Sequence, residues 1–269
     1  MPKINVNGVD LHYTDTGGDG AAIVFSHGLI MSGKMFSAQI ERLKGRYRCI
    51  AYDHRGQGGS EIAETGYDMD TLTDDAVALI SQLNIAPCHF VGLSMGGFVG
   101  MRLAARRPEV VKSLTLLETS ADEEPGESAP KYRMLNFVAR WFGLSLVVGR
   151  VMPILFGKTF MSDPSRASDR KLWRDRIVGN HRIGITRAVT GVIERKGVFD
   201  ELENITCPTL VAVGDEDTAT VPAKSERIAA AIKGSQLTII PAAGHSSTVE
   251  NPDFVSDIVE KFIDESDRR

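Results

Sequence analysis

Hydrophobic residues along the chain fall into two rhythms, and the alternation between them predicts the architecture. Ile4 and Val6, then Val9, Leu11 and Tyr13, alternate with other positions on either side of Asn7-Gly8. Asn-Gly accepts the positive φ angles of a two-residue turn, so the chain is expected to open on an antiparallel hairpin. Short apolar runs of strand length then recur at Ala22–Phe25, Cys49–Tyr52, Phe90–Leu93, Leu114–Leu117, Leu210–Val213 and Leu237–Ile240. Such near-continuous runs suit strands covered on both faces. Between them apolar residues return at helical spacing, as in Leu72, Ala76, Leu79, Ile80 and Leu83, and later in Phe254, Ile258 and Phe262. Strand alternating with helix predicts an α/β class with a mostly parallel, doubly wound sheet.

One stretch departs from the alternation. About 90 residues between Leu117 and Thr209 have helical and loop character without a clear strand, and they open on the acidic turn Asp122-Glu123-Glu124-Pro125-Gly126-Glu127. A helical cap over residues 121–205 is therefore expected, inserted into a core domain made of residues 1–120 and 206–269. Within it, Leu135 to Phe156 carries Phe137, Trp141, Phe142, Leu146, Val147 and Leu155 among its large apolar side chains. That is too much apolar surface for a helix lying alone on water, so this segment is expected to line a ligand pocket.

Composition narrows the class. Of 269 residues, 42% are hydrophobic and 25% charged, close to the globular average. A chain of this size buries roughly three quarters of its unfolded surface and needs no disulfide staples. The net charge of −4 and the lack of a Lys/Arg block interleaved with aromatics argue against a nucleic-acid partner. No run of apolar residues is long enough for a membrane span, and Met1-Pro2-Lys3-Ile4-Asn5-Val6 does not open a signal peptide, so a cytoplasmic location is expected. Cys49, Cys88 and Cys207 are odd in number and far apart, which fits reduced thiols rather than disulfides or a zinc site. No metal, phosphate-binding or dinucleotide motif appears, since Gly56 and Gly58 lack the Rossmann spacing. Composition leaves monomer and homo-oligomer equally open.

Chemistry enters at Gly92-Leu93-Ser94-Met95-Gly96-Gly97, which follows an apolar strand and precedes the helical run Phe98 to Arg106. Gly-x-Ser-x-Gly is a weak signal alone and gains weight at a strand-to-helix turn, where the serine is forced into a strained backbone and its neighbours must lack Cβ. A serine hydroxyl needs a base. Of the six histidines, His12 sits on the hairpin, His54 in a Gly-rich turn, His89 at the wrong end of its strand and His181 among basic residues of the insertion. His245 follows the last strand at the carboxyl edge of the sheet, where active-site residues collect, and is the expected base. The acid is expected from Gly214-Asp215-Glu216-Asp217 at the same edge, with Asp217 preferred, Asp215 better placed to close the turn, and Glu118 a second candidate.

The order Ser94, Asp217, His245, together with Ser26-His27-Gly28-Leu29, Asp53-His54-Arg55-Gly56-Gln57-Gly58-Gly59-Ser60 and Gly244-His245, resembles the α/β-hydrolase superfamily over nearly the whole chain. Among its serine members the motifs look most like small bacterial carboxylesterases and 3-oxoadipate enol-lactonases, with cofactor-free perhydrolases (haloperoxidases) as near relatives. The resemblance implies an α/β-hydrolase fold and an oxyanion hole made by the backbone N–H groups of Leu29 and Met95, with no cofactor. Two such donors in a dry site stabilise a tetrahedral oxyanion by roughly 3 kcal/mol each. His27 then shapes the oxyanion loop, and Asp53 and Arg55 are structural. The expected activity is hydrolysis of small to medium neutral carboxylic esters. A lactonase, a perhydrolase and a slow-turnover ligand receptor or signalling protein of the same fold are the alternatives. Lys131 to Lys196 holds 14 Lys plus Arg against 4 Asp plus Glu, a charge that would draw anionic substrates. An apolar pocket argues the other way, because a carboxylate entering it needs a close Arg partner.

Overall fold

A computed structural model describes residues 2–127 and 129–268, so Met1, Ser128 and Arg269, which the expected domain limits include, lie outside the described residues. The hairpin forms around Asn7 and Gly8, both at positive φ, and joins β1 (Lys3–Val6) antiparallel to β2 (Val9–Asp15). Six further strands complete the sheet: β3 (Ala22–Ser26), β4 (Arg48–Tyr52), β5 (Cys88–Leu93), β6 (Val111–Leu117), β7 (Thr209–Gly214) and β8 (Gln236–Ile240). Their order is β1-β2-β4-β3-β5-β6-β7-β8, antiparallel as far as β4 and parallel from β4 to β8. The strand order reverses between β3 and β5, and a crevice beyond the strand ends at such a point is where ligands bind in open α/β sheets.

Helices cover both faces. α1 (Ser37–Leu43) is followed by α2 (Met69–Gln82), whose N-terminus is capped by Asp68 accepting from Thr71 N–H, and by α3 (Met95–Arg106) directly after β5. Between β6 and β7 come α4 (Ala129–Phe142), α5 (Val148–Leu155), α6 (Lys158–Ser162), α7 (Ala167–Val178) and α8 (Arg182–Ile193), with no strand among the described residues. α9 (Pro222–Ala231), α10 (Ser247–Glu250) and α11 (Pro252–Asp267) close the chain. One hydrophobic cluster joins β2, α2 and α3 on one face of the sheet; another joins β3, α1, α5 and α11.

Five of the six apolar runs lie in strands buried almost throughout. The sixth differs: in β8 Leu237 and Ile239 are 42% and 43% exposed. β8 is the last strand of the sheet, so one of its faces lacks a full helical cover, and local hydropathy cannot reveal which strand ends a sheet. Beyond β4, Asp53 accepts from the backbone N–H of Gly33 (2.7 Å) and Gly59 (2.8 Å). Arg55 is locked to Asp75 of α2 by two 2.7 Å bonds, a buried pair that braces the turn. No helix among the described residues is long and apolar enough to cross a membrane.

Candidate active site

β5 ends at Leu93 and α3 begins at Met95, so Ser94 alone carries the reversal, at φ 51° and ψ −110°. A non-glycine residue there is strained, and its surroundings hold it: Ser94 N–H donates to the Leu117 carbonyl (2.9 Å), and Thr119 Oγ1 donates to the Ser94 carbonyl (2.9 Å). A Cβ on Gly92 would collide with the Gly96 carbonyl, and one on Gly96 with the Ser26 carbonyl, which is why both positions need glycine.

The loop after β8 brings His245 to this turn. Its Nε2 stands 2.8 Å from Ser94 Oγ, and its Nδ1 stands 2.9 Å from Asp217 Oδ2. Asp217 follows β7 and is held by donors from its own turn: Ala219 N–H (2.8 Å) and Thr220 N–H (3.0 Å) to Oδ1, and Thr220 Oγ1 (2.7 Å) to Oδ2. Burial alone would raise the Asp217 pKa, but the charge and hydrogen bond of His245 and the Thr220 donors outweigh it and hold the carboxyl below its ordinary range. An ionised Asp217 orders the ring so that Nδ1–H donates to it and Nε2 accepts the Ser94 hydroxyl proton. Glu250 steadies the loop by accepting from Ser246 N–H (3.0 Å) and Gly157 N–H (2.7 Å).

The other acidic candidates sit apart from the imidazole. Asp215 accepts from Ala243 N–H at 3.4 Å and so closes the turn. Glu118 is fully buried at the end of β6 and makes no hydrogen bond to His245 among the described residues. Burial first, and then the nearby Asp217 charge, push its pKa well above the ordinary range. A carboxyl whose charged form is disfavoured in this way, and which is not hydrogen-bonded to His245, is poorly suited to stabilise an imidazolium.

On the opposite side of Ser94, the loop after β3 is braced from three directions. His27 Nδ1–H donates to the Gly28 carbonyl (2.7 Å) while Nε2 accepts from His54 N–H (3.0 Å), and burial lowers the His27 pKa, so both ring nitrogens serve the loop. Ile30 lies at φ 68°, a rare conformation for a β-branched residue. Its N–H donates to Gln57 Oε1 (2.7 Å), and its carbonyl accepts from Asn180 Nδ2 (3.1 Å), whose Oδ1 accepts from Gly58 N–H (3.2 Å). Leu29 lines the cavity in front of Ser94, and Met95 is the first residue of α3, whose N–H has no intrahelical acceptor. Among the described residues neither of these N–H groups has a protein acceptor. Gln57 lies in the Gly-rich turn that the sequence singled out; Asn180, 150 residues from Ile30, gave no signal.

Ser94 and His245 open on a cavity of about 150 Å³. Leu144, Val147, Leu155 and Ile185 from the segment between β6 and β7 form its wall, opposite Leu93 and Phe98. Four aromatic or large residues expected to face the pocket do not: Phe137, Trp141, Phe142 and Leu146 are 58–66% exposed. α4 turns Tyr132, Leu135 and Ala139 toward the cavity and Phe137, Trp141 and Phe142 outward. α8 seats on the core through Gly184, where a Cβ would strike the Gly56 carbonyl. Sequence reading also missed the polar cavity residues of this region, Glu124, Tyr132, Asn136 and Arg195.

Sheet order, strained serine turn and serine–histidine–aspartate line together define a class, the α/β hydrolases. The sequence profile described as "alpha/beta hydrolase fold" matches residues 21–252, and the chain belongs to that family as a hydrolase. It is 30% identical over 256 residues to 3-oxoadipate enol-lactonase 2 of Acinetobacter baylyi, covering 95% of this chain and 93% of that protein. It is 27% identical over 256 residues to the putative carbamate hydrolase RutD of Rhizobium rhizogenes, covering 91% and 93%. The structure of a thermophilic esterase from Thermogutta terrifontis superposes with a TM-score of 0.92 at 27% identity, covering 99% of both chains.

Proposed function

We propose that the chain is a serine esterase that cleaves carboxylic esters of small to medium neutral substrates through an acyl-enzyme. The observation that carries this reading is the 2.8 Å contact between Ser94 Oγ and His245 Nε2 at the mouth of an apolar cavity, with Asp217 behind the ring. His245 takes the Ser94 proton as Oγ attacks the ester carbonyl, and the N–H groups of Leu29 and Met95 receive the oxyanion. The C–O bond to the alcohol breaks, and the alcohol leaves with the proton held by His245. A water then gives its proton to His245 and attacks the acyl group; collapse frees the acid and returns the proton to Ser94 Oγ.

Residues 121–205 act in this reading as a cap that closes the acyl site. Cys49, Cys88 and Cys207 are unpaired, which suits a reducing compartment such as the cytoplasm. Lactone and carbamate cleavage would use the same steps, and the likeness to enol-lactonase 2 makes a lactone the second reading. Rapid multiple turnover of p-nitrophenyl butyrate, abolished by Ser94→Ala, is the expected result. A single slow turnover, as in a ligand receptor, or full activity in Ser94→Ala would overturn it.

A further inference from the structure

Glu124 is the only acidic residue and Arg195 the only Lys or Arg residue lining the cavity among the described residues, and the two form an ion pair. Arg195 Nη1 donates to Glu124 Oε2 (2.7 Å) and to the Val192 carbonyl (2.8 Å), and Nε donates to the Asp122 carbonyl (3.1 Å). The guanidinium lies 4.4 Å over the ring of Phe98, one helical turn after Ser94 on α3. Its side chain is 3% exposed and that of Glu124 11%. The pair is therefore part of the substrate wall rather than of the outer surface. Arg195 Nη2 has no protein acceptor among the described residues, and Tyr132 adds a phenol at the same lining. Burial raises the Tyr132 pKa, so the phenol stays a donor.

We infer that Glu124 sets the charge selectivity of the cavity: by neutralising Arg195 it reserves this polar patch for a neutral hydrogen-bond acceptor on the substrate and turns away free carboxylates. The inference rests on the ester-hydrolase reading and deepens it. In a desolvated wall, a third charge meets both partners of the pair at once. A carboxylate drawn to Arg195 meets the like charge of Glu124, and it loses its own hydration without gaining an unshared cation. An ester or amide carbonyl, or an ether, loses far less on entry and can accept from the spare donors. The basic character of residues 131–196 acts differently, because exposed charges screened by salt attract anions to the mouth without making room for them inside.

The test compares two substrates differing only at their far end: the p-nitrophenyl monoester of adipic acid, with a free carboxylate, and the methyl p-nitrophenyl diester. The wild-type protein is expected to favour the diester in kcat/KM by about tenfold or more at both low and high salt. Glu124→Gln, which leaves Arg195 unneutralised, is expected to move that ratio toward the carboxylate by about tenfold or more, and Glu124→Gln with Arg195→Gln to lose the shift. A wild-type preference for the monoester, or a ratio that Glu124→Gln leaves unmoved in folded protein, overturns the inference. The wild-type ratio stands as a test even if the variant does not fold. Binding of the same pair to Ser94→Ala, by titration calorimetry, gives the ratio without turnover. Failure of the wild-type protein to hydrolyse either ester thus defeats the esterase reading, while the binding ratio still decides the role of Glu124.

Discussion

The two walls of the cavity are built by different physics. On the sheet side, each member of the proposed triad is held by hydrogen bonds near the end of a strand: Ser94 by Leu117 and Thr119, Asp217 by Ala219 and Thr220, His245 by Asp217. On the inserted side, Leu144, Val147 and Ile185 pack against one another with Ala139, and the polar exceptions there are few. Directional bonds define positions to a fraction of an ångström, whereas apolar packing tolerates exchange of shape at similar volume. In the proposed reading chemistry and selectivity are separable, one assigned to the strand ends and the other to the segment between β6 and β7. Asn180 is one bridge between them, because it reaches from the segment between β6 and β7 to the carbonyl of Ile30 in the loop beside Ser94.

Substitutions on the sheet side should give the largest losses. Asp217→Asn removes the charge behind His245 and is expected to lower kcat by about 10⁴-fold, while Asp215→Asn and Glu118→Gln stay within about tenfold of wild type. Comparable loss in Glu118→Gln would move the acid to β6. Asn180→Ala removes the brace while sparing the line from Ser94 to Asp217, so a fall in kcat of about tenfold with KM nearly constant is expected in steady-state kinetics. A change confined to KM would place Asn180 with the selectivity wall instead.

Stability should divide the insertion itself. Leu144→Ala opens a hole beside the cavity and is expected to cost about 2–4 kcal/mol in denaturant unfolding and to raise KM. Trp141→Ser, at a 65% exposed side chain, should leave both close to wild type. Acid sensitivity belongs to the sheet side. Burial is the main cause that lowers the pKa values of His27, His54 and His89 below the ordinary 6.5. The unfolded chain then binds protons that the folded chain refuses, so their contribution to stability is full above pH 6.5 and is lost as the pH falls below it. Thermal melts from pH 8 to pH 5 should show a falling Tm across that window, and a flat profile would contradict neutral burial.

Local chemistry made much of this legible. Asn7-Gly8 specified its turn by backbone preference, and the apolar runs specified strands by their double burial. Ser94, Asp217 and His245 could be singled out because each stands where a strand ends, and the structure brings the three together. What escaped depends on partners chosen in three dimensions. Apolar content said that α4 needed cover, yet gave no direction, and Phe137 and Trp141 face outward. Leu237 and Ile239 read along the chain like the buried runs, yet they are exposed, because β8 ends the sheet and a strand's place there is a property of the whole fold. The Glu124–Arg195 pair joins residues 71 apart whose charges, read along the chain, belong to an acidic turn and a basic insertion.

Covalent capture reads out directly which residue attacks the ester. The wild-type protein is treated with a fluorophosphonate, its intact mass is measured, and the modified peptide is mapped. One adduct per chain is expected, on Ser94, formed at a rate that tracks loss of esterase activity and suppressed in His245→Ala. An unmodified protein that still hydrolyses esters, or inactivation with the adduct on another residue, would contradict it.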